Sequence, residues 1–187
     1  MTAPLRIAIA GALRSGKDTV ADILQEQSET GFTVYRFADG ITEIIQQYFP
    51  QAWSAGKPRE HYQVIGQSLR QLDEMVWVNT LHRKRQQAPL HENQLITDLR
   101  QPNEVLYCKQ QKFKVIKVVA EEAVRQQRAE LAGDVWLPAQ MQHPTEIAVE
   151  SIAPDYLIEN NGSMDELVAK VTAVYQQILQ EVQYEQH

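Results

Sequence analysis

The sequence predicts an α/β fold, a mostly parallel sheet covered on both faces by helices, and three observations point to it. Apolar, β-branched runs alternate with amphipathic stretches of helical period from one end of the chain to the other. The first such run, Ile7-Ala-Ile-Ala-Gly11, passes through a loop with glycines at 11 and 16 directly into a helical pattern. The 187 residues suffice for one such domain with a sizeable core, and not for two ordinary ones.

Each element has its own local reason. Residues 17–28 carry Val20, Ala21, Ile23 and Leu24 at helical spacing, which predicts a helix lying on the sheet with Gly31 as its stop. Residues 32–37 alternate as a strand ending at Ala38-Asp39-Gly40. A helix over 41–49 halts before Pro50, and 51–58, with Trp53, reads as a loop. From 59 to 85, Val64, Ile65, Leu69, Leu72, Met75, Val76 and Leu81 fall roughly on one stripe, so one long helix is expected. Gly66 either interrupts it or admits a close neighbour.

A connection over 86–93 leads to a short buried strand, 94–98, ending in the carboxylate of Asp98. Pro102 suits the first turn of a helix over 102–110, and 113–119 is the clearest strand in the sequence. The charged segment 121–130 gives way to a Gln-rich loop through His143. Residues 155–158 form the last strand and Asn160-Asn161-Gly162 a turn. Ser163 with Glu166 makes a capping box for a terminal helix reaching about residue 185.

Composition narrows the function. The formal charge of −6 leaves no broad basic face for a nucleic-acid polymer or an anionic membrane, so any phosphate binding is local. The single cysteine, Cys108, excludes an internal disulfide and a thiolate zinc cage, and suits a reducing, cytoplasmic setting. No signal-peptide layout precedes the first strand and no apolar run reaches membrane-spanning length.

The loop Gly11-Ala-Leu-Arg-Ser15-Gly16-Lys17-Asp18-Thr19 carries the chemistry. It matches G-x-x-x-x-G-K-[ST] except for Asp18 at the last position. Glycines let backbone N–H groups turn inward, a helix N-terminus adds partial positive charge, and a lysine neutralises outer phosphates. A second stretch, Asp98-Leu-Arg100-Gln-Pro102-Asn103-Glu104, sets a carboxylate at a strand tip with an arginine two residues on. That pair can organise Mg²⁺ and grip a phosphate; equally, Asp98 can cap the next helix while Arg100 is solvated. In parallel sheets ligands bind beyond the strands' carboxyl ends, so the 11–19 loop, Asp39, Asp98, Arg100 and the 121–128 segment are expected to converge.

Taken with the Phe37-Ala38-Asp39, Gly66/Arg70/Trp77, His143-Pro144-Thr145-Glu146 and Asn160-Asn161-Gly162-Ser163 echoes, these two motifs make the chain resemble the deoxynucleoside monophosphate kinases of the bacteriophage type, a branch of the P-loop nucleotide kinases. The resemblance implies a three-layer P-loop kinase fold with a five-stranded sheet and a mobile lid. It implies one domain over 1–187, with a monophosphate-binding helical region near 39–85 and a lid near 121–143. The implied reaction is ATP- and Mg²⁺-dependent phosphoryl transfer to a nucleoside 5′-monophosphate, a small-molecule substrate, by a monomer or homodimer.

On that resemblance Gly11, Ser15, Gly16, Lys17, Asp18 and Thr19 hold the donor, and Asn160 and Asn161 border the adenine. Arg70 and Arg100 hold the acceptor phosphate, Asp39 and Asp98 lie near the reacting centre, Asp18 and Asp98 serve the metal, and Arg125 and Arg128 belong to the lid. Other readings stand beside these. An Arg125–Glu121 surface pair is as plausible as a lid role. Trp77 and Met75 suit the core, Tyr62 and Gln63 suit either a base or a helix surface, and His143 with Glu146 suits a helix start. The lysines over 109–117 suit a polar turn and strand edge. A kinase for another acceptor, of phosphomevalonate or dephospho-coenzyme A type, and an ATP-binding regulatory switch are the rival functions.

Overall fold

The computed structural model describes residues 4–89, 91–133 and 148–184. Its elements are β1 (Arg6–Gly11), α1 (Lys17–Gln27), β2 (Thr33–Tyr35), α2 (Asp39–Tyr48), α3 (Arg59–Leu72), α4 (Val76–Gln86), β3 (Gln94–Leu99), α5 (Pro102–Gln110), β4 (Lys114–Val119), α6 (Glu122–Leu131), β5 (Tyr156–Glu159) and α7 (Met164–Tyr184). They form a five-stranded parallel sheet in the order β2-β3-β1-β4-β5, flanked by helices. In the register, Ile7 lies opposite Leu95 and Lys114, and Val118 opposite Gly11 and Ile158.

Contacts divide the chain into two compact units: Met1–Val34 with Pro89–His187, and Tyr35–Ala88. In the first, alternation along the central strands sends Ile7, Ile9, Leu95, Ile116, Val118 and Ile158 to one face. There they meet Val20, Ile23 and Leu24 of α1 and Leu167, Val171, Tyr175 and Ile178 of α7. Ala8, Ala10, Ile96 and Val115 on the other face are also fully buried, and α5, with buried Tyr107 and Cys108, packs on β4. Strands buried on both faces explain the near-continuous apolar runs in the sequence.

In the second unit α2 and α4 approach closely through glycine. A Cβ on Gly40 would stand 3.0 Å from Thr80 and 3.1 Å from the Trp77 ring, and Trp77 Nε1 donates to Gly66 O at 3.1 Å. Gly66 is thus the close-approach position and does not break its helix; Trp77 is core.

Several expectations are corrected. The single helix over 59–85 is two helices, because Asp73 Oδ1 accepts the Met75 N–H (2.9 Å) and folds residues 73–75 into a turn. With that break the apolar stripe dissolves: Val64, Leu72 and Met75 are exposed. Residues 50–55 form a short 3₁₀ helix instead of a loop, opened by Pro50. The second strand keeps only Thr33–Tyr35 of the expected six residues, and α2 begins two residues early, at Asp39. Gly31 lies four residues past the end of α1, in a following turn with φ 69°. The lysine-bearing β4 is an interior strand, between β1 and β5. Among the described residues no helix is long and apolar enough to cross a membrane.

Candidate active site

Parallel strands bring the carboxyl ends of β1, β3, β4 and β5 to one edge of the sheet. From β1 the chain crosses towards β2, whereas β3 and β4 send it the opposite way, towards β4 and β5. In open parallel sheets such a reversal of winding is where ligands bind, beyond the strands' carboxyl ends. The 12–16 loop follows the carboxyl end of β1.

Two left-handed residues, Arg14 (φ 62°) and Gly16 (φ 95°), flank Ser15 in this loop. Such alternation turns successive N–H groups towards one side and forms an anion-binding concavity. Arg14 holds a conformation costing roughly 1–2 kcal/mol for a residue with a Cβ, a strain of the kind found at functional sites. Gly11 has no alternative: a Cβ there would lie 2.5 Å from Ser15 Oγ and 2.9 Å from Val118 O. Ser15 is fully buried and its Oγ has no hydrogen-bond partner among the described residues. Gly16 ends the loop and Lys17 opens α1, whose first N–H groups have no partners within the helix. Asp18, exposed in the first turn, lies where the helix dipole favours a carboxylate, with Thr19 beside it.

The ends of β4 and β5 brace the loop. Asn160, 5% exposed, donates from its backbone N to Val119 O (2.8 Å) and from Nδ2 to Ser15 O (2.9 Å). Arg128 of α6 donates from Nη2 to Asn160 O (3.1 Å) and Oδ1 (3.2 Å), and from Nη1 to Ser15 O (3.5 Å). Asn161 and Glu121 exchange two further bonds: Glu121 N donates to Asn161 Oδ1 (2.8 Å), and Asn161 Nδ2 to Glu121 Oε1 (3.3 Å). Leaving a buried partner of such a network unsatisfied costs about 1–3 kcal/mol. Of the two expected arginines, α6 brings Arg128 to the loop; Arg125 lies one turn before it on the same helix.

Asp98 and Arg100 stand at the carboxyl end of β3, where the sequence placed them. The residue that fixes this turn is one to which sequence reasoning gave no role. Glu104, 3% exposed, accepts from Arg100 N and Gln101 N, both at 2.9 Å, and closes a capping box with Gln101 at the start of α5. The spacing Gln101-Pro-Asn-Glu104 was the available signal. Helix α5 itself runs Pro102–Gln110, as expected.

In the second unit Asp39 opens α2 and accepts from Lys84 Nζ at 2.7 Å. Arg70 lies in the last turn of α3, its Nη1 3.5 Å from where a Gly66 Cβ would sit. Tyr62 shares a hydrogen bond with Thr42 (2.7 Å) and meets Trp53 edge-on, with centroids 6.2 Å apart, while Gln63 is exposed. His143 and Glu146, with the later part of the expected lid, lie outside the described residues.

Mg²⁺ takes oxygen ligands and is commonly held by one or two side chains together with substrate phosphates. Ser15 Oγ and the carboxylates of Asp18 and Asp98 are donors of that kind. Among the described residues no three His, Cys, Asp or Glu side chains gather into a metal cage. These oxygens suit a metal that arrives with phosphate.

No protein-family model matches the chain, and no curated protein matches its sequence. Solved structures do. The gluconokinase of Sinorhizobium meliloti 1021 is 12% identical with a TM-score of 0.60, the match covering 100% of both chains. The shikimate kinase of Aquifex aeolicus VF5 is 16% identical with a TM-score of 0.55, over 92% of this chain and 97% of that one. A sugar kinase of Janibacter sp. HTCC2649 is 16% identical with a TM-score of 0.53, over 96% and 98%. At such identities the likeness is one of architecture, and the architecture this chain shares with these kinases is an α/β fold, a five-stranded parallel sheet between helices.

Proposed function

We propose that the protein transfers the γ-phosphoryl group of ATP to a small acceptor, and that the acceptor is a nucleoside 5′-monophosphate, giving the diphosphate. The observation that carries the reading is the phosphate loop: Gly16 in a left-handed turn directly before Lys17 at the first residue of α1, with Arg128 against the loop. Phosphoryl transfer asks little covalent chemistry of a protein and depends on positioning and charge stabilisation, and this loop offers both.

In this reading the N–H groups of the 11–19 loop hold the β- and γ-phosphates, with Gly11, Ser15, Gly16 and Thr19 shaping the cradle. Lys17 neutralises charge on the transferring group. Arg125 and Arg128 stabilise the charge spread over it in the transition state. Asn160 and Asn161 close the cradle on the side of the adenine. Asp98 orients the attacking oxygen, and Arg100 grips the acceptor phosphate bidentately. Mg²⁺, carried in on ATP and held through Ser15, Asp18 and Asp98, would neutralise the phosphate oxygens.

The Asp98-to-Glu104 segment supports the phosphorylated acceptor, since Glu104 fixes the backbone on which Arg100 stands. The likeness to a gluconokinase and a shikimate kinase favours a second reading, a hydroxylated acceptor without a base. A coupled assay of ADP release separates the two across ribo- and deoxynucleoside monophosphates, gluconate, shikimate, phosphomevalonate and dephospho-coenzyme A. Stimulation by a monophosphate, with Arg100→Ala raising its KM at least about tenfold and leaving that for ATP nearly unchanged, is the expected outcome. Stimulation by gluconate or shikimate alone would replace the acceptor assignment.

A further inference from the structure

Asn160 is where three parts of the first unit meet. Its backbone N–H is held by Val119 O at the end of β4, its Nδ2 by Ser15 O of the phosphate loop, and its two oxygens by Arg128 Nη2 of α6. Nδ2 fills the space that a Cβ on Gly16 would need, and Arg128 Nη1 lies 3.9 Å from that same position. The guanidinium therefore stands against the last turn of the loop, one residue before Lys17.

Among the described residues its hydrogen-bonded acceptors, Ser15 O, Asn160 O and Asn160 Oδ1, are all neutral carbonyl oxygens. Phosphate oxygens are better acceptors for a guanidinium: charge-assisted bonds are roughly twice as strong as neutral ones and can be bidentate. An anion in the cradle would thus draw Arg128 away from Asn160 at little cost in ordering, because the side chain is already immobilised at the loop. An amide is the group that suits the junction, since it donates to Ser15 O through one atom and accepts from Arg128 through the other.

We infer that Asn160 is a positioning residue for nucleotide binding. It holds the loop through Ser15 O, parks Arg128 beside the cradle before the nucleotide arrives, and yields the guanidinium to the phosphates. The inference rests on the reading of residues 11–19 as a phosphate cradle.

Calorimetric titration of the full chain with ADP and Mg²⁺ tests it on wild type, Asn160→Ala, Arg128→Ala and the double variant, with a thermal melt of each ligand-free protein. Each single variant is expected to weaken ADP about tenfold, and the double variant to lose clearly less than the product of the two, because Asn160 acts in part through Arg128. Losses that simply multiply would overturn the coupling. So would an Asn160→Ala protein that melts lower yet binds ADP like wild type, the signature of a purely structural residue. If Asn160→Ala does not fold, Asn160→Ser, too short to span Ser15 O and Arg128 together, completes the same cycle. Wild type that binds no ADP would overturn the cradle reading and this inference with it; normal binding with multiplicative losses overturns the inference alone.

Discussion

Gly16 carries two constraints that can be separated by substitution. Its φ of 95° disfavours any Cβ, and Asn160 Nδ2 already occupies the Cβ position. Gly31 shares only the first, with φ 69° and its nearest neighbour, Gln25 Nε2, at an ordinary 3.6 Å. Gly31→Ala should therefore cost about 1 kcal/mol, the left-handed penalty, and Gly16→Ala at least about 2 kcal/mol more, because it also breaks the buried Asn160–Ser15 bond. Urea unfolding of both variants measures this; equal losses would mean that Asn160 does not press on the loop. At this scale the sequence showed what is encoded locally. Two glycines and Lys17 at fixed spacing are legible on their own, and so was the Ser163–Glu166 box, whose two reciprocal bonds are both 3.2 Å. The brace from Asn160 to Ser15 spans 145 residues and leaves no local trace, so Asn160 was expected beside an adenine and its hold on the loop went unread.

The elements read most faithfully were those whose ends carry their own stop signals. Pro102 and the capping box set α5, and alternating burial on both faces set β1, β3 and β4. Periodicity failed across 59–85, where a stripe of apolar residues continued through Asp73 although its side chain folds the backbone into a turn. A lone aspartate in a helical pattern is a weak breaker by propensity, and the apolar residues after it masked the break. The docking of α7 on the sheet offers a pH test. Glu181 Oε2 accepts from Lys114 Nζ at 2.6 Å and Oε1 from Tyr156 OH at 2.5 Å. These bonds hold its carboxyl below the ordinary glutamate range, first through Lys114 and then through Tyr156, while burial and Glu181 raise the Tyr156 phenol. A lowered carboxylate stabilises the fold above its unfolded value, and that contribution is lost as pH falls through the folded one. Glu181→Gln should thus melt below wild type at pH 7, with the gap closing on the acid side of the ordinary glutamate range. Because Glu181 is about half exposed, the gap should also shrink in high salt. A gap that stays constant from pH 7 to pH 3 would mean that the charge plays no part.

At the scale of the whole molecule, the parallel order β2-β3-β1-β4-β5 sets the 12–16 loop, Asp98, Arg100 and Asn160 at one edge of the sheet, where α6, which carries Arg128, also starts. Strand alternation, chain length and the loop after β1 were enough to anticipate this architecture, because a βα unit with that loop constrains where the next strands can lie. Acceptor choice was not legible, since no short pattern in the helices of Tyr35–Ala88 specifies a ligand. If the 11–19 loop is a site of γ-phosphoryl transfer, Lys17 is the residue whose loss tests it most directly. Lys17 should add little to the core, so Lys17→Ala is expected to fold and melt close to wild type while losing at least about a thousandfold in turnover, the scale of a cation that stabilises the transferring phosphoryl group. The direct measurement follows label from [γ-³²P]ATP into the monophosphate that stimulates ADP release, for wild type and for Lys17→Ala. Transfer by wild type and its near-complete loss in a folded Lys17→Ala protein is the predicted result; near-normal transfer by that variant would contradict the account.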